Sequence, residues 1–124
     1  DYAMSRIPAE KIILGIPNYG YDWRLPYSPG QQAFSLSNVA AIQRAIQHGA
    51  IIQYDENAQA PYFYYNDADG IQHIVWFEDA RSIRAKLALA NEYHLVGVGY
   101  WNLYRPFPQN WRVLNALYDI PQSL

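Results

Sequence analysis

An α/β fold is predicted by two short apolar, β-branched runs and by an amphipathic segment placed between them. Lys11-Ile12-Ile13-Leu14-Gly15-Ile16, ended by Pro17, reads as a buried strand. Leu95-Val96-Gly97-Val98-Gly99-Tyr100-Trp101 reads the same way, with glycines where neighbouring backbone can approach closely. From Glu78 to Tyr93, Ala80, Ile83, Leu87 and Ala90 recur at helical spacing and give one apolar face. A helix followed by a buried strand is the alternation of a parallel sheet.

The middle of the chain, from about Arg24 to Val75, has a different pattern. Ser35-Leu36-Ser37-Asn38 offers N-caps to a helix running through Ile42 and Ile46, with Gly49 just past its end. Three extended stretches follow, Ala50 to Tyr54, Pro61 to Tyr65 and Ile71 to Phe77. Asn66-Asp67-Ala68-Asp69-Gly70 joins the last two with hairpin-turn chemistry. This segment is a small α+β insertion between a parallel strand and its helix. Trp111, Leu114 and Leu117 mark a terminal helix after Pro106 and Pro108. Two parallel strands do not make a stable sheet alone, so the pattern predicts part of a larger α/β body.

Composition excludes several function classes. The 124 residues carry 9 basic and 11 acidic side chains, a formal charge of −2, which is no footprint for nucleic acid or an anionic membrane surface. No apolar run is long enough to cross a bilayer. The start, Asp1-Tyr2-Ala3-Met4-Ser5-Arg6, lacks the basic and apolar regions of a signal peptide. With no cysteine, disulfides, thiolate nucleophiles and Cys-zinc sites are absent. The 12 Tyr and 4 Trp are the positive signal, since amphipathic rings suit sugar-binding surfaces as well as β-rich cores.

The acidic and basic residues offer few constellations. Asp67-x-Asp69-Gly70 matches part of a calcium loop, but its twelfth position falls on Trp76, so a solvated turn is the better reading. Asp55 and Glu56 are adjacent and would point to opposite faces of a strand, as a surface pair. His48, His73 and His94 show no metal-ligand spacing, and no metal or organic cofactor is implied. His48 and His94 fall near helix ends, where a capping role suffices. Asp22 and Glu78 stand just beyond a strand or at a helix start, although Glu78 or Asp79 can equally complement the helix dipole. Tyr19, Tyr21 and Trp23 follow the first strand, and Trp101 and Tyr104 close the last. Residues beyond the C-terminal ends of parallel strands line the ligand crevice of α/β bodies. There Trp101 offers either a flat indole to a pyranose or a plug for the rim.

Three stretches carry a family resemblance. Ile13-Leu14-Gly15-Ile16-Pro17-Asn18-Tyr19-Gly20-Tyr21-Asp22-Trp23 resembles the seventh-strand segment of glycoside hydrolase family 18, the chitinase-like TIM barrels. Val75-Trp76-Phe77-Glu78-Asp79-Ala80-Arg81-Ser82-Ile83-Arg84-Ala85-Lys86 resembles the entry into the following helix. Leu95 to Leu103 is similar to the eighth strand, which carries the tryptophan flooring the −1 sugar subsite. Gln53-Tyr54-Asp55-Glu56 and Pro106-Phe107-Pro108-Gln109-Asn110-Trp111 look closest to the bacterial spore-cortex branch, whose members hydrolyse peptidoglycan as N-acetylglucosaminidases. The resemblance runs from about Arg6 to Ile120.

It implies a fragment of a (β/α)8 TIM barrel, its last two strands and helices carrying an α+β insertion. Residues 1–23 would hold a helix end and the seventh-strand segment, 24–75 the insertion, and 76–124 the barrel helix, eighth strand and terminal helix. The implied activity is hydrolysis of β-1,4 bonds in N-acetylglucosamine-containing glycan by a substrate-assisted retaining mechanism. The family's acid is the last Glu of D-x-x-D-x-D-x-E on the fourth strand. The only D-x-D here is Asp67-Ala68-Asp69, so the chain itself is expected to be inactive and no catalytic residue is assigned. Trp101 is the expected sugar platform, with Tyr19, Asp22, Glu78 and Tyr54 as groove residues, Tyr54 having packing as an equal alternative. A glycan-binding barrel that has lost its acid, or a free-standing α+β interaction domain, are the alternatives. The partner is a glycan, with no nucleic acid and no membrane span, and the exposed strand edges predict self-association. The resemblance points to a bacterial cell wall, spore or extracellular setting.

Overall fold

The computed structural model describes residues 1–118. Asp119 and Ile120, the end of the stretch carrying the resemblance, lie outside them. After a short 3-10 turn, Ala9–Lys11, the elements are β1 (Ile13–Pro17), β2 (Gly20–Arg24), β3 (Phe34–Leu36) and α1 (Asn38–Gln47). They continue with β4 (Gln53–Asp55), β5 (Ala60–Asn66), β6 (Gln72–Trp76), α2 (Ala80–Glu92), β7 (Gly97–Trp101) and α3 (Pro108–Leu117). Two sheets result: a parallel pair, β1-β7, and an antiparallel sheet of five strands in the order β3-β2-β6-β5-β4.

The helices begin and end where their residues dictate. The Ser37 side chain accepts from the Ala40 amide at the start of α1, a cap worth about 1 kcal/mol. Gly49, just beyond the C-cap His48, takes a φ of +61°, the left-handed backbone that favours glycine. Asp79 caps α2 in a reciprocal box with Ser82, so Asp79 and not Glu78 supports the helix start. The buried stripe of α2 is Ser82, Ile83, Leu87 and Ala90; Ala80, expected in it, is exposed because it sits in the first turn beyond the sheet. Between β5 and β6 the Asp67 carboxylate accepts from the Asp69 and Ile71 amides, and Gly70 supplies a φ of +78°.

Two cores form. α1 covers one face of the five-stranded sheet, joining Leu36, Ala41, Ala45, Phe63, Val75 and Phe77. α2 and α3 cover one face of β1-β7, joining Ile16, Ile83, Leu87 and Phe107 with Val98, Tyr100, Val113 and Leu114. Burying each large member of these clusters contributes about 1.5–3 kcal/mol.

Three expectations are corrected. Gly20–Trp23 belong to the five-stranded sheet, where Tyr21, Asp22 and Trp23 pair with Trp76, Val75 and Ile74. A division after residue 23 therefore cuts β2, and one after residue 75 cuts β6. Nor is the parallel pair buried on both faces here, since Ile13 of β1 is 64% and Trp101 of β7 72% exposed, because helices cover only one face of the pair. Of the glycines of that pair, only Gly99 has a neighbour close to where a Cβ would stand, the Ile13 side chain at 3.4 Å, and no backbone approaches. A Cβ at Gly15 or Gly97 would find nothing within 4 Å, whereas one at Gly20 would strike the Trp76 carbonyl oxygen at 2.5 Å.

Candidate functional site

β1 and β7 end level, with Pro17 opposite Trp101. Alternation along the strands sends Leu14, Ile16, Val98 and Tyr100 toward the helices, and Pro17, Gly99 and Trp101 to the open face. The Trp101 side chain stands 72% exposed at the C-terminal end of its strand. Its loop is bolted on two sides. The Asn18 amide donates to the Trp101 carbonyl at 2.8 Å. Asn18 Nδ2 donates to the carbonyls of Asn102 at 3.2 Å and Arg105 at 2.6 Å. Arg105 Nη1 in turn donates to Ser35 Oγ at 2.8 Å and to the Leu36 carbonyl at 3.0 Å, tying the loop to β3. The indole is thus held open by fixed backbone. Tyr19, one residue past Asn18, meets the edge of Tyr21 with ring centroids 5.5 Å apart.

Asp22 lies elsewhere. Its side chain, 3% exposed, points to the α1 side of the five-stranded sheet and pairs there with Arg44. Tyr65 Oη donates to Asp22 Oδ2 at 2.6 Å, and His73 Nδ1 lies 2.7 Å from Oδ1. The other imidazole nitrogen of His73 is 3.2 Å from Asp67 Oδ2. Burial, and then the hydrogen bond to the Asp22 carboxylate, push the Tyr65 hydroxyl up to about 12. The Ile71 amide holds the Asp67 carboxyl below its ordinary value against a smaller desolvation penalty, with His73 adding to the lowering.

Glu78 is buried between the helices. Its amide donates to Asn38 Oδ1 at 2.9 Å, and its carboxylate accepts from Lys86 Nζ at 2.9 Å. Tyr54, on the edge strand β4, lies beneath the Arg81 guanidinium at 4.4 Å and donates to Gln59 Oε1 at 3.0 Å. Burial, with the nearby Asp79 and Glu56 carboxylates, raises its hydroxyl pKa.

Of the residues singled out from sequence, Trp101 and Tyr19 share the strand-end region. Among the described residues no hydrogen bond or ring contact joins Asp22, Glu78 or Tyr54 to Trp101. Each is instead fastened inside the scaffold. Asn18 and Arg105, which hold the Trp101 loop, were missed. A signal existed for Asn18, a polar residue between a strand-ending Pro17 and Tyr19, but Arg105 acts across 69 and 70 positions and leaves no local trace.

Comparisons with known proteins agree with this architecture. A family description, Glycosyl hydrolases family 18, matches residues 1–105. The chain is 50% identical over 121 residues to the cortical fragment-lytic enzyme of Bacillus subtilis (strain 168), covering 97% of this chain and 28% of that protein. The crystal structure of the Bacillus megaterium QM B1551 spore cortex-lytic enzyme SleL superposes with a TM-score of 0.91 at 48% identity, over 99% of this chain and 29% of that one. A chitinase from Chromobacterium violaceum ATCC 12472 superposes with a TM-score of 0.83 at 37% identity, over 93% of this chain and 35% of that one. The chain therefore spans between a quarter and two fifths of the length of these relatives.

Proposed function

Because the chain belongs to the glycosyl hydrolases of family 18, we propose that it is the C-terminal part of a (β/α)8 barrel that hydrolyses N-acetylglucosamine-containing glycan. β1 and β7 would be the last two barrel strands, and the five-stranded sheet with α1 the insertion between them. The whole protein would cleave β-1,4 bonds by the substrate-assisted route. The acetamido oxygen of the substrate attacks its own anomeric carbon, while a glutamic acid outside these residues gives its proton to the leaving oxygen.

The observation that carries this reading is Trp101. A large ring left 72% exposed on an anchored loop, level with the ends of two parallel strands, suits the apolar face of a pyranose. Tyr19 would add a second contact beside it. Asp22, Glu78 and Tyr54 would serve the groove from behind, since their polar groups are already engaged. The relatives' names, a cortical fragment-lytic enzyme and a chitinase, fit β-linked N-acetylglucosamine as the shared unit.

Trp101→Ala in the whole protein tests it. We expect KM for N-acetylglucosamine oligomers to rise about 10- to 100-fold, corresponding to about 1.5–3 kcal/mol of lost ring burial. An unchanged KM and kcat overturns the assignment.

A further inference from the structure

We propose that Asn18 and Arg105 are positioning residues, through which the five-stranded sheet sets where the Trp101 indole stands. Their effect on substrate rests on the sugar platform proposed above; the linkage itself rests on hydrogen bonds. Trp101 is 72% exposed, and among the described residues no ring or cation stacks on it. With so little packed against it, the ring takes its place from the backbone that carries it. That backbone leaves its strand at Trp101 and next enters a core at Phe107, 2% exposed. Between them Leu103 and Tyr104 are 78% and 94% exposed, so apolar burial does not fasten the turn.

Asn18 does so with polar bonds. It and Tyr19 are the whole connection between β1 and β2, which places it at the joint of the two sheets. The residue is 7% exposed, and its side-chain amide carries two N–H groups for the carbonyls of Asn102 and Arg105. Its main-chain N–H holds the carbonyl of Trp101. Three carbonyls of one turn thus depend on one residue, and the turn cannot shift without losing these bonds.

Arg105 carries the linkage into the five-stranded sheet. Its Nη1 donates to Ser35 Oγ and to the Leu36 carbonyl, both on the edge strand β3. Leu36 is 4% exposed in the core beneath α1 and pairs with Gly20 of β2. The carbonyl that Arg105 grips is therefore fixed by that core. Among the described residues no carboxylate pairs with Arg105, so its contact with β3 works by position and not by charge. A lysine, with three donors on one nitrogen, can make the same two bonds, whereas a methionine can make neither.

The test uses the whole protein, N-acetylglucosamine oligomers as substrate, and two readouts. Asn18→Ala and Arg105→Met are each expected to raise KM about three- to tenfold. They should leave kcat nearly unchanged, since a displaced platform weakens ground state and transition state alike. Arg105→Lys should recover most of the loss. On a Trp101→Ala background the same substitutions should add nothing further to KM, a coupling that a purely structural role would not produce. The second readout is the fluorescence anisotropy of Trp101, isolated by subtracting the matching Trp101→Phe protein, and it should fall in both variants. Ser35→Ala removes one acceptor of Arg105 at an exposed position, and should lower the anisotropy even if Asn18→Ala fails to fold. Unchanged anisotropy in variants that melt like the parent overturns the proposal, as do equal losses with and without Trp101. If Trp101→Ala raises KM and Arg105→Met moves neither readout, only the linkage falls. If Trp101→Ala leaves KM unaltered while Arg105→Met lowers the anisotropy, the sugar platform falls and the linkage stands.

Discussion

At Asp22 one carboxylate, in a side chain 3% exposed, serves Arg44, His73 and Tyr65 together. A buried carboxylate is tolerated only when its lone pairs are filled, and here three donors from α1, β5 and β6 fill them. Tyr65 therefore matters as a proton donor as well as a ring. Its hydroxyl is raised from an ordinary 10 to about 12 in the folded chain. A raised pKa means that the unfolded chain loses this proton first. The stability the hydroxyl contributes is thus fully present below about pH 10 and is lost as pH rises through about 12. Tyr65→Phe should cost about 1.5 kcal/mol at neutral pH, the value for a hydrogen bond to a charged group. It should also abolish that part of the alkaline loss. Urea midpoints between pH 8 and pH 12 check both, and parallel pH curves for parent and variant would refute the second.

The five-stranded sheet depends on one position where the backbones nearly touch. Gly20 begins β2 against the end of β6, and a Cβ there would lie 2.5 Å from the Trp76 carbonyl oxygen and 2.7 Å from Phe77 Cβ. The first obstacle is backbone, so it cannot swing aside, and Gly20→Ala should destabilise by about 1–3 kcal/mol, the usual cost of overpacking. Chemical denaturation of the whole protein measures it, and a variant as stable as the parent would mean that β2 moves freely. The same strand shows what was legible in the sequence. Periodicity and caps located α1, α2, β5, β6 and β7, because those signals are local: Ser37 and Asp79 at helix starts, Gly49 and Gly70 at turns. Gly20–Trp23 reads from sequence as the tail of a strand-end motif, since only its pairing with β6, about 50 positions later, makes it a strand. Asp22 was placed in the groove by sequence position, whereas the pleat turns it to α1. The place of Trp101 at a strand end is legible because it depends on its own strand alone.

Taken as a whole, the molecule has one covered sheet face and one uncovered face in each of its layers. In the parallel layer, Ile13 is 64% and Val96 59% exposed, and β1 and β7 pair only with each other. Each strand therefore keeps an edge whose amide and carbonyl groups have no strand partner among the described residues. Parallel strands are ordinarily covered on both faces and joined to further strands. In the barrel proposed above, the remaining strands and helices would supply both coverings. Without them, a second copy offers the same edges and the same apolar face, in the self-complementary geometry of a two-fold pair. Residues 1–124 expressed alone should therefore self-associate, and light scattering across micromolar concentrations should show a mass at least twice that of the chain. The whole protein at the same concentrations should not use these edges, so Ile13→Lys should dissociate the assembly of the isolated chain. A monomer at every concentration would show that α2 and α3 suffice to shield β1 and β7, and would remove the argument for further strands.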